Sequence, residues 1–307
     1  MKSNLLFQNK KILVTGASGF IGSHLCRRLL CIGADVYGVS RKKNPGTEIC
    51  RKWIRADLSN AEEVKKIFTA VEPSIIFHLA SHVVGARDIE YVTTTFRDNL
   101  VSTINLLLEA SRLNCEHIIL TGSLEEPEKT SDFITPSSPY AAAKFASSAY
   151  GRLFHALYGT PVSIARLFMV YGPGQLDLKK LIPYTILSLL KNDVPQFTSG
   201  HRQVDWIYVE DVVDGLLAMA LCPNEIQGQT IDIGSGAQVS VRDLVLQLVT
   251  IMKSGEEPAF GSIPDRPLEQ IRLADTDATY IKTGWKPKIP LRAGLEQTVA
   301  WYRQYYE

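Results

Sequence analysis

Tyr140 and Lys144 stand one helical turn apart in PYAAAK, so a helix through them puts both side chains on one face. The pairing has a chemical use. A phenol that titrates at about 10 is a poor base at neutral pH, and a neighbouring ammonium favours its ionised form, which would make Tyr140 an acid/base group. Ser123 follows the apolar run HIILTG (117 to 122), and a hydroxyl at a strand end can orient a carbonyl or an alcohol. A Tyr-x-x-x-Lys pair alone is an ordinary feature of helices. The serine before it and a glycine-rich turn far upstream give this pair its meaning.

That turn is TGASGFIG, with Gly16, Gly19 and Gly22 directly after the run KILVT (11 to 15) and at the opening of a helical pattern. Residues without Cβ atoms let a pyrophosphate approach the backbone and meet free N–H groups at a helix N-terminus, so Ser18, Phe20 and Ile21 join the three glycines as expected cofactor contacts. A dinucleotide site for NAD places a carboxylate about 20 residues further on, against the adenosine ribose. Here the second strand ends Gly38, Val39, Ser40, Arg41, Lys42, Lys43, and Asp35 lies at its wrong end. Ser40 and Arg41 suit a 2′-phosphate, Arg41 as a planar fork, so NADP is the expected cofactor, with NAD the alternative. Asp57, followed by Leu58 in RADL, is placed to accept from the adenine amino group.

The elements that must hold these residues follow from the patterning. Short β-branched runs at 11 to 15, 35 to 40, 52 to 56, 74 to 80, 117 to 122 and 162 to 168 alternate with helical stretches near 20 to 32, 60 to 70, 97 to 113 and 138 to 158. The expectation is an α/β Rossmann fold, a doubly wound parallel sheet. After Tyr171, Gly and Pro punctuate the chain and helices at 177 to 191 and 240 to 253 are predicted, a smaller region that interleaves with the first. The expected division is 1–170 with about 205–234 for the cofactor, and about 171–204 with 235–307 for the substrate.

Lysine plus arginine (33) nearly cancels aspartate plus glutamate (32), so no basic excess advertises nucleic acid or an anionic membrane as a partner. The five cysteines contain no CxxC pair and the six histidines form no HExxH motif, so no metal is expected. No signal-peptide core or membrane-length apolar stretch is present, which leads to the expectation of a cytoplasmic protein.

TGASGFIG, FHLAS, the DNL of 98 to 100, TGS, PYAAAK, ARLFMVYGPG, DWIYVEDV and PDRP occur in an order that resembles the extended short-chain dehydrogenase/reductase family, in its nucleotide-sugar epimerase/dehydratase branch. The resemblance runs from about Lys11 to Tyr302. It implies that Ser123, Tyr140 and Lys144 form the catalytic triad, Lys144 also holding the nicotinamide ribose. It further implies that Leu79, Ala80, Ser81 and Asn99 line the cofactor, that Arg202 and Arg266 clamp a sugar nucleotide's diphosphate, and that the helices at 97 to 113 and 138 to 158 pair in a homodimer.

Two positions depart from the family's pattern. Its dehydratases carry an acid or hydroxyl and then a glutamate base after the Ser/Thr, where this chain has Leu124 and Glu125; leucine cannot donate a proton, which disfavours 4,6-dehydration. Met169 stands where an asparagine usually touches the substrate phosphate, and a thioether does not replace that bond. Of the acids Glu125, Glu126 and Glu128, only Glu125 is expected at the substrate, the others in a solvated loop. The leading expectation is an NADP-dependent 4-ketoreductase of a nucleotide-linked deoxysugar. A 4-epimerase is the alternative, and a silent NADP-binding sensor, which has no need of a proton donor, comes third.

Overall fold

The structure, a computed structural model, describes residues 6–42, 49–113, 115–128 and 134–306. Six apolar runs form the parallel strands β1 (Lys11–Thr15), β2 (Asp35–Ser40), β3 (Lys52–Arg55), β4 (Ile75–His78), β5 (His117–Ser123) and β6 (Val162–Leu167). With β10 (Thr230–Ile233) they build a seven-stranded sheet ordered β10-β6-β5-β4-β1-β2-β3. Every pairing in it is parallel. Burial on both faces explains the unbroken Val, Ile and Leu: Ile12 and Val14 pack into one core and Leu13 into the other. This is a Rossmann-like α/β fold, as the patterning predicted.

The order dictates where a ligand goes. The chain winds outward from β1 to β3 and then crosses back to β4, so a crevice opens between the carboxyl ends of β1 and β4. Its floor is pinned by buried polar contacts: Thr15 Oγ1 lies 2.8 Å from His78 Nδ1 and accepts from Ala80 N at 3.1 Å, while His78 Nε2 lies 3.0 Å from Thr103 Oγ1. Burial first, and then the Lys144 charge, push the His78 pKa down to about 3, so the ring is a neutral tie between strands.

The other strands are β7 (Met169–Tyr171), β8 (Gln196–Phe197), β9 (Gln203–Tyr208), β11 (Gln238–Ser240) and β12 (Ala259–Phe260). They form a three-stranded sheet, β11-β9-β7, and a β12-β8 pair. The segment 205–234 therefore divides: its first strand joins the smaller sheet, whereas the Val209–Leu221 helix packs on the Phe20–Cys31 helix and β10 extends the main sheet. Asp205, 1% exposed, ties the parts together by accepting from Ser235 N, Ser235 Oγ, Gly236 N and Ala274 N at 2.7–3.1 Å.

Candidate active site

Gly16 has φ +67°, and a Cβ added there would sit 2.8 Å from Ala80 N, so the turn after β1 tolerates no side chain. Gly22 serves packing: its added Cβ would fall 2.2 Å from Gly16 O. Gly19 caps the Phe20–Cys31 helix without a side-chain hydrogen bond, and the first turn carries no acid. Its early N–H groups are thus left for an anion. A cavity of about 270 Å³ opens beside this turn.

Of the predicted cofactor residues, Gly16, Ser18, Gly19, Ser40, Arg41, Asp57, Leu58, Leu79, Ala80 and Ser81 line that cavity. Phe20, Ile21 and Gly22 lie outside its lining, in the helix that carries the turn. Asn99 supports the wall from behind: its side chain accepts from His82 N at 2.6 Å and Ser81 Oγ at 3.1 Å and donates to His82 O at 3.2 Å. A π-helical turn, Phe96–Val101, interrupts the helical stretch between Tyr91 and Ala110 and buries Asp98 and Asn99 on the cavity side. Such turns are uncommon and cluster at functional sites.

The adenosine end differs from expectation in one respect. Arg41 is present at the cavity, but its Nη1 donates to Asp98 Oδ2 at 2.8 Å, and Arg97 Nε donates to Asp98 Oδ1 at 2.8 Å. Ser40 Oγ lies 2.7 Å from Ser18 Oγ. Lys42 also lines the cavity, and Lys43 lies outside the described residues. Asp98, a cavity residue, was missed from the sequence, where it stands beside Asn99 in the DNL run; His82, whose place after the fourth strand allows a pocket residue but favours an ordinary loop histidine, also lines the cavity.

Ser123, Tyr140 and Lys144 come together at the carboxyl end of β5. Ser138 caps the Pro139–Tyr158 helix by accepting from Ala141 N at 3.1 Å, and Pro139 occupies the first turn without loss of a bonded N–H. The hydroxyls of Ser123 and Ser81 are in hydrogen-bond reach of Tyr140. Burial, opposed by those hydroxyls and reinforced by Glu126 and Glu125, pushes the phenol up to about 12. The expectation that the Lys144 ammonium favours the ionised phenol is not met, since the charges acting on Tyr140 are those of Glu126 and Glu125. The Lys144 ammonium donates instead to Thr121 Oγ1 at 3.3 Å, and burial lowers its own pKa to about 8. Tyr140 therefore holds its proton, which suits a donor.

The predicted substrate residues include further cations. Arg202 Nη2 donates to Glu125 Oε1 at 2.7 Å and to Gln270 O at 2.9 Å, and its Nη1 lies 3.3 Å from Glu269. Arg266 is exposed beside Gly85. Burial lowers the pKa of Lys180, a residue unmarked by any motif, opposed by the charges of Asp177 and Glu125 and reinforced by that of Arg266. Met169 is half-buried and packs against two apolar cores. Leu124 is 5% exposed in the main core, so the position after Ser123 offers the site no proton donor. Glu126 corrects the solvated-loop expectation: it is 4% exposed and lies under Ser123, while Glu128 pairs with the buried Arg272 at 2.7 Å.

Among the described residues no group of three or more His, Cys, Asp or Glu side chains is arranged to hold a metal ion, and no helix is long and apolar enough to cross a membrane.

Residues 12–234 match the family model described as "NAD dependent epimerase/dehydratase family". A UDP-glucose 4-epimerase of Mycolicibacterium smegmatis is 28% identical over 95% of this chain and 98% of its own length. A mouse dTDP-D-glucose 4,6-dehydratase is 30% identical over 96% of this chain and 89% of its own. A solved UDP-glucuronic acid 4-epimerase from Bacillus cereus, in complex with UDP-glucuronic acid and NAD, superposes with a TM-score of 0.85 at 26% identity, covering 96% of this chain and 100% of that one.

Proposed function

The chain belongs to the NAD-dependent epimerase/dehydratase family, and we propose that within it the protein is an NADP-dependent 4-ketoreductase of a nucleotide-linked deoxysugar. The observation that carries this reading is the adenosine end of the cavity, where β2 closes on Ser40 and Arg41 in place of a ribose-binding carboxylate. The residues present fit a dinucleotide: a turn that excludes side chains, a helix N-terminus open to a pyrophosphate, and Asp57 in the cavity wall for the adenine. When bound, a nicotinamide cofactor supplies the hydride chemistry.

The chain's own residues do the rest. Ser123 orients the sugar carbonyl, and Tyr140, kept protonated by its surroundings, gives the oxygen its proton. Lys144 supplies positive charge at the cofactor ribose. Arg202, Arg266 and Lys180 meet the diphosphate, and Met169 borders the sugar. Elimination lacks its acid at Leu124, which argues against dehydration. The same reading assigns 1–170 with 205–234 to the cofactor and 171–204 with 235–307 to the substrate, and places the enzyme in the cytoplasm. The exposed Leu108, Tyr150, Leu153 and Leu157 on the helices at 102–110 and 139–158 support a homodimer.

A 4-epimerase is the second reading. It is favoured by Asp98, which engages the arginine a 2′-phosphate would need, and by the relatives' names. The test is incubation with UDP-, dTDP-, GDP- and CDP-sugars and their 4-keto forms, with NADPH, with NADH and with neither. NADPH oxidation that requires a keto-sugar supports the reductase. Interconversion of two sugars without net cofactor change replaces it with the epimerase.

A further inference from the structure

We infer that Glu126 is a positioning residue of the catalytic group: its buried carboxylate fixes the Ser123 end of β5 and supplies the negative charge against which the Lys144 ammonium is held. The inference rests on Ser123, Tyr140 and Lys144 being the reacting group. Glu126 Oε1 accepts from Ser123 N at 2.8 Å and from Ser148 Oγ at 2.9 Å, so it joins the strand that carries the serine to the helix that carries the tyrosine and lysine. The chain is shaped around it, since a Cβ added at Gly122 would lie 2.7 Å from the same oxygen.

The charges around this acid come from several elements. Lys144 faces it from the Pro139–Tyr158 helix, Arg166 from β6, and Arg272 from the segment that follows β12. Glu125 and Glu126 both bear on Tyr140, and His78 on β4 feels Lys144 but is neutral. Arg166 is committed to Asp232 at 3.0 Å and Arg272 to Glu128, and among the described residues Lys144 has no carboxylate in ion-pair contact. Burial lowers the Lys144 pKa, and Glu126 is the opposing influence. Glu126 also helps to keep the Tyr140 phenol protonated, so both effects act in one direction.

Glu126→Gln keeps an oxygen for the Ser123 N–H and the Ser148 hydroxyl but removes the charge. The Lys144 pKa should then fall by about one pH unit. The measurement is an NMR titration of the full-length protein carrying nitrogen-labelled lysine, with the Lys144 signal assigned by its disappearance in Lys144→Arg. The pH profile of kcat/KM on whichever nucleotide sugar is turned over should move the same way. Glu126→Asp, which keeps charge but cannot reach the Ser123 amide equally, should leave the Lys144 titration near wild type, lower kcat about tenfold and change KM little. A Lys144 signal that titrates identically in wild type and Glu126→Gln overturns the inference, and so does an Asp variant with full kcat. A wild-type enzyme inactive on every nucleotide sugar overturns the proposed function instead, and the Lys144 titration still decides the role of Glu126.

Discussion

Replacing Lys144 with methionine should make the protein more stable while destroying its activity. Lys144 is 5% exposed, and its pKa falls from an ordinary 10.5 to about 8 through burial. Folding therefore disfavours the ammonium, and a shift of that size corresponds to about 3 kcal/mol. The sign follows from proton counts: the unfolded chain binds the proton more tightly, so the cost is fully present below pH 8, shrinks as pH rises towards 10.5, and is gone above it. Methionine matches the aliphatic stem and carries no charge, though it leaves Glu126 without one of its cations, so a net gain of about 1 to 3 kcal/mol at pH 7 is expected. Urea unfolding of wild type and Lys144→Met at about pH 7 and pH 10 checks this, because comparing the two differences cancels contributions common to both chains. A variant less stable than wild type at neutral pH, or an advantage that does not shrink at alkaline pH, would refute the reasoning.

Tyr140→Phe should leave cofactor affinity nearly intact and lower turnover about 10²- to 10⁴-fold, the range for loss of a positioned acid; retention of more than about a tenth of the activity in a steady-state assay would remove that role. Arg41→Ala should weaken NADP about ten- to a hundredfold and leave NAD nearly unchanged, as read by paired binding titrations; equal loss for both would make Arg41 a fold residue only. Asp98→Asn should raise the NADP-to-NAD affinity ratio by freeing Arg41, and an unchanged ratio in the same titrations would count against the 2′-phosphate role. Asp205→Ala should cost at least about 3 kcal/mol in urea unfolding, since four donors lose one buried acceptor.

The main sheet was legible because parallel strands buried on both faces leave uninterrupted Val and Ile runs; KILVT and DVYGVS were read to the residue. The glycine turn was legible for a steric reason, since only glycine fits at Gly16. Residues 205 to 208 were harder, because Trp206 and Ile207 are equally apolar in the small sheet or the large one, and only tertiary pairing with Met169 and Val170 decides. The π-helical turn, which carries the Asn99 that bonds the backbone of His82, leaves no periodic trace. Glu126 sits in a run of acids that reads as solvated surface, and nothing local distinguishes the one that turns inward. Tyr140 and Lys144 share the Pro139–Tyr158 helix, but spacing does not specify where the lysine points, and Thr121 Oγ1 accepts from its ammonium.

If Arg41 takes a 2′-phosphate as proposed, Asp98 makes cofactor choice a competition for one guanidinium. In the structure Arg41 and Arg97 share this buried carboxylate, and the same two cations lower the pKa of Asp57, where burial is opposed first by Ser59. A ribose hydroxyl can enter without disturbing that arrangement, because a neutral donor demands no cation. A 2′-phosphate adds negative charge near two carboxylates and is favourable only if Arg41 turns some of its N–H groups from Asp98 to the ligand, with Lys42 alongside. Arg97 keeps Asp98 paired while this happens, so Arg41 can move without leaving a bare buried anion. Without Arg97 the same motion would strand Asp98 and favour NAD. On the proposed reading, the two arginines would make NADP binding compatible with a carboxylate at the adenosine end.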